Sequence, residues 1–222
     1  MASTALVLSQ KLEFDPFSNA PYFVDKSSLL ERYHQLEIFK NGSVTLKNGL
    51  QTPVYFDFRD LISSLDAMVL TATAMATRIV EEKLCADFIV GVPYGGTLLS
   101  AFVGERVNLP FLLRRKEMKN YGTKKLIEGK FKQGQKAVII EDVVATGTSV
   151  LETVEDLRKC GVVCEDVICI LDLEQNGAEN LKKHSVTLHR LLTINDFLNY
   201  LVEVNHVSIR EKMEILDKMK RE

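Results

Sequence analysis

The stretch VIIEDVVATGTSV, residues 138–150, decides the fold of this chain. Its first half is rich in β-branched residues and predicts a buried strand, and its second half consists of small and hydroxyl residues that lead into a helix. Glu141 and Asp142 lie where the strand ends. In an open α/β sheet, ligands bind at the carboxyl ends of the strands. The stretch therefore predicts a strand, a ligand-binding turn and a helix, in that order.

The residues after the acidic pair suit a phosphate group. Backbone N–H groups and the hydroxyls of Thr146, Thr148 and Ser149 can surround a phosphate, and the N-terminus of the following helix favours its negative charge. The carboxylates beside them can accept hydrogen bonds from ribose hydroxyls and can orient Mg²⁺ and its waters. A sugar phosphate is therefore the ligand that this junction favours. The plainer alternative is a strand end with ordinary polar residues.

Composition limits the classes of protein to which the chain can belong. Its 222 residues and 46% apolar content suit one α/β domain with a full core. A net charge of −2 gives no electrostatic reason to expect a nucleic acid or an anionic membrane as partner. The N-terminal segment lacks the features of a signal peptide, so a cytoplasmic location is predicted. Neither a Walker GxxxxGK(S/T) motif nor a GxGxxG after a strand occurs, which argues against P-loop and dinucleotide enzymes.

Strands and helices alternate through most of the chain. Strands are predicted at 87–92, 111–113, 136–143, 162–173 and 185–192, with helices at 97–107, 148–160 and 177–184 between them. Such alternation implies right-handed crossovers and a mostly parallel central sheet flanked by helices. A helix over 67–83, with Asp66 as its cap, is predicted before this region, and two amphipathic helices are predicted after it, at 194–222.

The part of the chain before residue 66 and the segment 114–134 do not follow this alternation. Ser27 or Ser28 is expected to cap a helix that runs to about Lys40, and residues 43–59 are typical of a β-hairpin with Asn48-Gly49 at its turn. The segment 114–134 is long, polar and strongly basic, and no strand or helix is predicted in it. A loop of that length inside a compact domain is usually functional or mobile. A solvated surface loop is the plainer alternative.

Five separated blocks of the sequence resemble one family of enzymes. EDVVATGTS is similar to the phosphoribosyl pyrophosphate (PRPP) signature of type I phosphoribosyltransferases, and the rest is similar to the orotate phosphoribosyltransferase domain of animal UMP synthase. In chain order the blocks are TLKNGLQTPVYFDFR (45–59), GVPYGG (91–96), LRRKEMKNYGTKKLIEG (113–129), IIEDVVATGTSVLETVE (139–155) and LDLEQNG (171–177). The resemblance covers about residues 28–200, and no counterpart of the synthase's decarboxylase domain is expected in this chain.

The resemblance implies an α/β protein with the type I phosphoribosyltransferase fold. A small hood, built from the N-terminal helix and hairpin, would span about 27–65, and the core would span about 66–193. Together with the C-terminal helices at 194–222, these parts would form a single domain over 27–222, preceded by an N-terminal arm at 1–26.

The activity that the resemblance implies is transfer of ribose 5-phosphate from PRPP to a nitrogenous base. With orotate as acceptor the products are orotidine 5′-monophosphate and pyrophosphate, and the reaction belongs to pyrimidine (UMP) biosynthesis. Mg²⁺ is implied as the companion of PRPP, held mainly by PRPP oxygens near Glu141 and Asp142 and not by a protein cage. The basic loop closes over the neighbouring subunit's site in this family, which implies a homodimer.

The family's functional residues carry over to this chain position by position. Catalytic roles fall on Lys119, Asp142 and Glu141. PRPP contacts fall on Lys47, Tyr94, Gly95, Arg115, Lys116, Lys119, Tyr121, Glu141, Asp142, Val143, Val144, Ala145, Thr146, Gly147, Thr148 and Ser149. Base contacts fall on Lys47, Tyr55, Phe56, Ala145 and Leu173. For Tyr55 and Phe56, residue type alone favours core packing, and only the surrounding block assigns them to the base.

Three positions depart from the family pattern. Ala145 replaces a threonine and Leu173 an arginine, both of which contact orotate in the family, and Asn120 replaces an aspartate of the basic loop. Losing two hydrogen bonds to a carboxylate costs roughly 3–6 kcal/mol, or about 10²–10⁴ in affinity or rate. Three alternatives stay open: orotate with a cation from elsewhere (Arg190 or Lys124), a changed acceptor base, and a PRPP-binding protein without turnover.

Overall fold

The centre of the protein is a six-stranded sheet. The structure is a computed structural model that describes residues 24–45, 51–117 and 125–219. Most of the predicted arm, the turn at Asn48-Gly49 and the stretch 118–124 lie outside the described residues. The strands of the sheet are β3 (Phe88–Gly91), β4 (Phe111–Arg114), β5 (Ile127–Glu128), β6 (Lys136–Val144), β7 (Val163–Asp172) and β8 (Thr187–Thr193). They lie side by side in the order β5-β4-β3-β6-β7-β8.

The sheet is parallel except at one edge. The neighbours β4-β3, β3-β6, β6-β7 and β7-β8 all pair in parallel, which confirms the predicted mostly parallel sheet. The exception is β5, which pairs antiparallel with β4 through Leu113 with Glu128 and Arg114 with Ile127. No strand is predicted between 114 and 134, and that expectation is wrong at β5, because two residues are too few to show the alternation that identifies a strand.

Helices cover both faces of the sheet. They are α2 (Leu65–Glu81), α3 (Gly95–Val107), α4 (Thr148–Lys159) and α5 (Gly177–Lys183). One hydrophobic cluster joins α2 and α3 to Ile140 and Ile168, and a second joins α4 and α5 to Ile139 and Val167 on the opposite face. Because both faces are buried, the central strands are apolar at successive positions. Within the described residues, none of the helices is long and apolar enough to cross a membrane.

The first helix begins earlier and ends earlier than the sequence predicts. It is α1 (Lys26–Gln35), and the carboxylate of Asp25 caps it by accepting a hydrogen bond of 2.8 Å from the Ser28 N–H. The expectation that a serine caps the helix is wrong, because Ser28 is the donor in this contact and Asp25 is the acceptor. The helix does not reach Lys40, because Glu37 takes a left-handed conformation (φ 52°) that ends it.

The predicted hairpin is confirmed as a separate two-stranded antiparallel sheet. It consists of β1 (Phe39–Thr45) and β2 (Gln51–Phe56), and a 3₁₀ helix (Phe58–Ser63) follows it. Helix α2 begins after Ser64, whose hydroxyl donates a hydrogen bond of 2.7 Å to Asp66. The prediction that Asp66 caps α2 is wrong, because this carboxylate lies inside the first turn and bonds the serine that precedes the helix.

Two C-terminal helices close the fold, as predicted. They are α6 (Ile194–Glu203) and α7 (Ile209–Met219). Thr193 and Asp196 form a reciprocal capping box at the start of α6. The Lys26 ammonium lies 2.9 Å from the Asp196 carboxylate, so the same carboxylate also ties α1 to α6.

Arg158 connects three segments on the α4 side of the sheet. Its guanidinium donates hydrogen bonds to the carbonyl oxygens of Cys164 at 2.7 Å, His184 at 2.9 Å and Ser185 at 3.3 Å. We expect Arg158→Ala to lower the free energy of unfolding by about 1–3 kcal/mol, because it leaves these carbonyls without their charged donor. Urea denaturation measures the loss. Arg210→Ala is the matched control, because Arg210 makes an exposed ion pair within α7, and equal stability of the two variants would contradict the prediction.

Candidate active site

The predicted ligand site lies where the chain leaves two adjacent strands in opposite directions. From β3 the chain passes through α3 to β4 on one side, and from β6 it passes through α4 to β7 on the other side. Such a reversal opens a crevice at the carboxyl ends of the two strands, which is where open α/β sheets bind ligands. Both α3 and α4 begin at this crevice, so the N-termini of two helices point towards it.

Glu141 and Asp142 lie at the end of β6, with different environments. Glu141 is 5% exposed, and its carboxyl accepts a hydrogen bond of 2.9 Å from the Asp142 N–H. Asp142 is half-buried, and its carboxyl accepts one of 2.8 Å from the Val143 N–H. Burial, followed by the negative charge of Asp142, raises the pKa of Glu141 well above its usual value. Asp142 is therefore the carboxylate that presents a charge to the crevice.

The raised pKa of Glu141 predicts how stability changes with pH. A carboxyl whose pKa is higher in the folded state holds its proton more tightly there, so its stabilising contribution is complete below its unfolded pKa and disappears as pH rises through the folded pKa. We expect the free energy of unfolding of Glu141→Gln to fall less than that of the wild type between about pH 5 and about pH 8. Denaturation without PRPP or Mg²⁺ measures it, with Glu165→Gln, an exposed position, as control. Parallel pH profiles for the wild type and Glu141→Gln would contradict this.

The turn after β6 has the geometry predicted for a phosphate site. Gly147 has a φ of 80°, a left-handed conformation that favours glycine, and α4 starts at the next residue. The hydroxyls of Thr146 and Thr148 lie 2.9 Å apart, and both residues are exposed together with Ser149. Among the described residues, no side chain caps the N-terminus of α4. Its first-turn N–H groups therefore remain available to an anion.

A second turn, between β3 and α3, packs closely against the end of β6. The Pro93–Tyr94 peptide bond is cis. A Cβ added at Gly95 would lie 2.0 Å from a carboxylate oxygen of Asp142, and one added at Gly96 would lie 2.1 Å from the carbonyl oxygen of Ile140. Only glycine permits this approach, so these two positions fix the distance between the two turns.

The basic segment starts beside this second turn. The Lys116 ammonium lies 5.3 Å from the ring centroid of Tyr94, whose side chain is among the exposed large hydrophobic groups with an exposed fraction of 68%. Arg115 is held at its base by Glu128, with hydrogen bonds of 2.9 and 2.7 Å. The structure thus brings Lys116 and Tyr94 together, while Arg115 is engaged by a carboxylate. The predicted Lys119 and Tyr121 of the same segment, with Asn120 and Lys124, lie outside the described residues, as does Lys47.

The two aromatic residues predicted to contact the base occupy different environments. Phe56 is 6% exposed, and its ring packs against Phe39 and Phe197 with centroids 5.5 and 5.0 Å away. Tyr55 is partly exposed, and its hydroxyl accepts a hydrogen bond of 3.0 Å from Arg59. The structure therefore places Phe56 in the hydrophobic core and leaves Tyr55 as the aromatic residue that faces solvent.

Two further predicted base positions, Ala145 and Leu173, are apolar. Leu173 packs against the main hydrophobic cluster, and its N–H donates a hydrogen bond of 2.8 Å to the Val144 carbonyl next to Ala145. Arg190, one of the cations considered for this side, donates a hydrogen bond of 2.7 Å to Asp172, a carboxylate whose side chain is 2% exposed. Its charge is therefore already compensated.

Arg59 is a candidate functional residue to which the sequence assigns no role. It lies in the 3₁₀ helix after β2, and it donates hydrogen bonds of 2.7 Å to both carboxylate oxygens of Asp57. The only sequence signal is its position as the last residue of the block 45–59. An arginine next to an aspartate in a short loop has no periodicity, so only the folded arrangement reveals what it faces.

The acidic pair suits a Mg²⁺ ion whose other ligands are mainly waters and phosphate oxygens of the substrate. Among the described residues, no three His, Cys, Asp or Glu side chains are grouped so as to hold a metal ion. The partly exposed carboxylate of Asp142 supplies oxygen donors of the kind that Mg²⁺ prefers, and Mg²⁺ commonly keeps waters and substrate phosphates as its other ligands. The donor set therefore fits a metal ion bound to a diphosphate.

Comparison with known proteins gives the class of protein that this crevice defines. The family model of the phosphoribosyl transferase domain matches residues 60–200. The chain therefore belongs to the phosphoribosyltransferase family, whose members transfer a pentosyl group, and it has the fold that the resemblance implies.

Within that family the chain is similar to proteins of two kinds. It is 36% identical over 193 residues to an orotate phosphoribosyltransferase of Caenorhabditis elegans, covering 87% of this chain and 85% of that protein. It is 36% identical to the uridine 5′-monophosphate synthase of Bos taurus, covering 87% of this chain and 40% of that protein. Among solved structures, UMP synthase of Leishmania donovani superposes with a TM-score of 0.80 at 25% identity, over 90% of this chain and 43% of that one.

Proposed function

We propose that the protein transfers the 5-phosphoribosyl group of PRPP to orotate and releases pyrophosphate, a reaction of pyrimidine nucleotide synthesis. The observation that carries the proposal is the position of Asp142 in the crevice, between the phosphate turn of α4 and the glycine turn of α3. The names of the similar proteins, orotate phosphoribosyltransferase and uridine 5′-monophosphate synthase, support orotate as the acceptor.

The donor is bound from three sides. The N–H groups and hydroxyls of residues 146–149 hold the 5-phosphate, and the helix N-terminus complements its charge. Asp142 and Glu141 accept hydrogen bonds from the ribose hydroxyls, with Asp142 the more exposed of the two. The backbone at Tyr94 and Gly95 and the ammonium of Lys116 lie where the diphosphate is expected.

The reaction forms one bond and breaks one. A ring nitrogen of the base forms a bond to C1 of the ribose, the C1–O bond breaks with its electrons left on the pyrophosphate, and the proton of that nitrogen passes to the solvent or to the released pyrophosphate. Charge therefore develops on the leaving group, and cations and oriented N–H groups at that point lower the barrier. Mg²⁺ bound to PRPP oxygens would reduce the charge of the leaving pyrophosphate, with Asp142 orienting its waters.

Some parts of the expected machinery stay predictions. Lys47, Lys119 and Tyr121 lie outside the described residues, and Arg115 must leave Glu128 to reach a diphosphate. The resemblance implies the homodimer, which sedimentation of the chain tests, and the composition of the N-terminal segment predicts the cytoplasmic location.

Pyrophosphate release tests the proposed reaction. The protein is incubated with PRPP and Mg²⁺ and with orotate, uracil, adenine or hypoxanthine in separate reactions. We expect orotate to give the highest kcat/KM of the panel. Preference for another base would support a changed acceptor, in line with apolar Ala145 and Leu173, and the double variant Ala145→Thr, Leu173→Arg should then gain orotate activity. PRPP binding without release from any base would overturn the proposal.

A further inference from the structure

Arg59 presents unused hydrogen-bond donors beside the crevice. A guanidinium has five N–H donors. In Arg59, Nε and one N–H of Nη2 bond the two oxygens of Asp57 at 2.7 Å, and Nη2 also donates to the Tyr55 hydroxyl at 3.0 Å. Within the described part of the chain, Nη1 has no partner, and the side chain is 56% exposed. The two N–H groups of Nη1 are therefore free to bind an anionic group.

The local charges keep Arg59 cationic and fixed. The Asp57 carboxylate forms ion pairs with two cations, because the Lys40 ammonium lies 3.6 Å from one of the oxygens that Arg59 also contacts. The hydrogen bonds that Arg59 donates to Asp57, followed by its electrostatic interaction with Tyr55, raise the pKa of Arg59 above its usual value. Two anchors, Asp57 and Tyr55, hold the guanidinium plane in one orientation, and a held arginine recognises planar carboxylates better than a mobile cation does.

The segment that carries Arg59 contacts the helix that begins beside Asp142. The 3₁₀ helix that carries Arg59 packs against α3, whose first residue, Gly95, touches the Asp142 carboxylate. Asp142 also contributes, as one of the smaller causes, to the raised pKa values of both Arg59 and Tyr55.

Two of the predicted base positions, Ala145 and Leu173, supply no charged side chain. Arg190 donates a hydrogen bond of 2.7 Å to Asp172, whose carboxylate is buried and holds it there. An acidic group placed next to Ala145 and Leu173 would lose hydration without gaining a partner. We therefore expect a base that carries a carboxylate to bind with this group towards the hairpin and the 3₁₀ helix that carries Arg59.

We infer that Arg59 binds the carboxylate of the acceptor base and thereby selects an acidic pyrimidine over a neutral one. This inference rests on the proposed function. The carboxylate of orotate is attached to the ring carbon next to the nitrogen that attacks C1, so a donor at the mouth of the crevice can hold it while the nitrogen faces the ribose. Asp57 is a positioning residue, because it acts through Arg59.

A pair of products isolates the contribution of Arg59. Orotidine 5′-monophosphate and uridine 5′-monophosphate share the ribose and the phosphate and differ by the carboxylate alone. We expect Arg59→Gln to weaken binding of orotidine 5′-monophosphate about 10- to 100-fold, the effect of one charge-assisted hydrogen bond or a bidentate pair, and to change uridine 5′-monophosphate binding less than about twofold. Isothermal titration calorimetry on the full chain measures both dissociation constants.

Kinetics of the same variants separate binding from folding. Arg59→Gln should raise KM for orotate by a similar factor and leave KM for PRPP within about twofold, and Arg59→Lys should recover part of the loss because it keeps the charge without the fork. Asp57→Asn should raise KM for orotate about 3- to 10-fold, because Arg59 remains but loses its anchor. Arg210→Gln, on exposed α7, is the matched control.

The outcomes distinguish this inference from the proposed function. If the wild type does not use orotate, the proposed function fails. If the wild type uses orotate and Arg59→Gln binds both nucleotides as the wild type does, only the role of Arg59 fails. An equal loss of both nucleotides would also overturn the role, because it would show damage to the donor side of the site.

Discussion

Asp142→Asn is expected to lower kcat/KM for phosphoribosyl transfer by about 10²–10³-fold, the cost of losing charge-assisted hydrogen bonds at the reacting sugar. Asparagine has nearly the same shape, so it can keep the contact with Gly95 and the hydrogen bond from the Val143 N–H. It removes the carboxylate that the proposed function assigns to the ribose hydroxyls and the metal-bound waters. The steady-state rate of pyrophosphate release at several PRPP concentrations measures the change.

Stability and a remote substitution serve as controls for that variant. The free energy of unfolding of Asp142→Asn should stay within about 1 kcal/mol of the wild type, because no packing is lost. Asp217→Asn makes the same chemical change at an exposed position of α7 and should leave kcat/KM unaltered. Transfer by Asp142→Asn within about twofold of the wild type would remove Asp142 from its proposed role.

Gly95→Ala and Gly96→Ala add the same methyl group at neighbouring positions. We expect the first mainly to lower activity and the second mainly to lower stability. The Cβ at residue 95 meets the side chain of Asp142 at 2.0 Å, and a side chain can rotate away. We therefore expect Gly95→Ala to lose activity about as strongly as Asp142→Asn, because the carboxylate is displaced, while the protein loses only about 1–2 kcal/mol of stability.

The Cβ at residue 96 meets the backbone instead. It would lie 2.1 Å from the Ile140 carbonyl oxygen and 3.0 Å from its carbon, and the central strand β6 would have to shift. We expect Gly96→Ala to cost about 3–4 kcal/mol, a large fraction of a typical domain's stability. Urea denaturation measures both variants.

A third glycine provides the control for backbone strain. Gly134→Ala also requires an unfavourable conformation (φ 85°), but its Cβ would meet no atom within 4 Å. It should therefore cost only about 1 kcal/mol. A loss for Gly96→Ala no larger than that for Gly134→Ala would contradict the steric explanation.

Much of the fold follows from the sequence because its elements have strong periodicity. The buried strands at 136–143 and 162–173 and the helices between them alternate clearly, and the structure places them within a few residues of the predicted ends. The position of the site follows for the same reason, because Glu141 and Asp142 mark a strand end. Such signals are local, and tertiary contacts do not alter them.

Features that depend on contacts between distant residues did not follow from the sequence. The short strand β5 exists only because β4 is available to pair with it. Asp25 caps α1 although two serines beside it are equally good caps in isolation. Phe56 enters the core because Phe39 and Phe197 are brought to it by other elements. The orientation of Arg59 depends on its hydrogen bonds to Asp57 and Tyr55, which only the folded structure shows.

The separation of the hairpin from the main sheet has a consequence for how such an enzyme can diverge. The donor side is assembled from backbone atoms and glycines of the six-stranded sheet, where an added methyl group collides with β6. In the proposed function the acceptor side includes the partly exposed Tyr55 and the exposed Arg59, which lie outside the six-stranded sheet, on the two-stranded sheet and the short helix after it. A search for variants that accept new bases should therefore randomise Tyr55 and Arg59 and leave the glycine turns untouched. Such variants keep the donor site while the acceptor base can change.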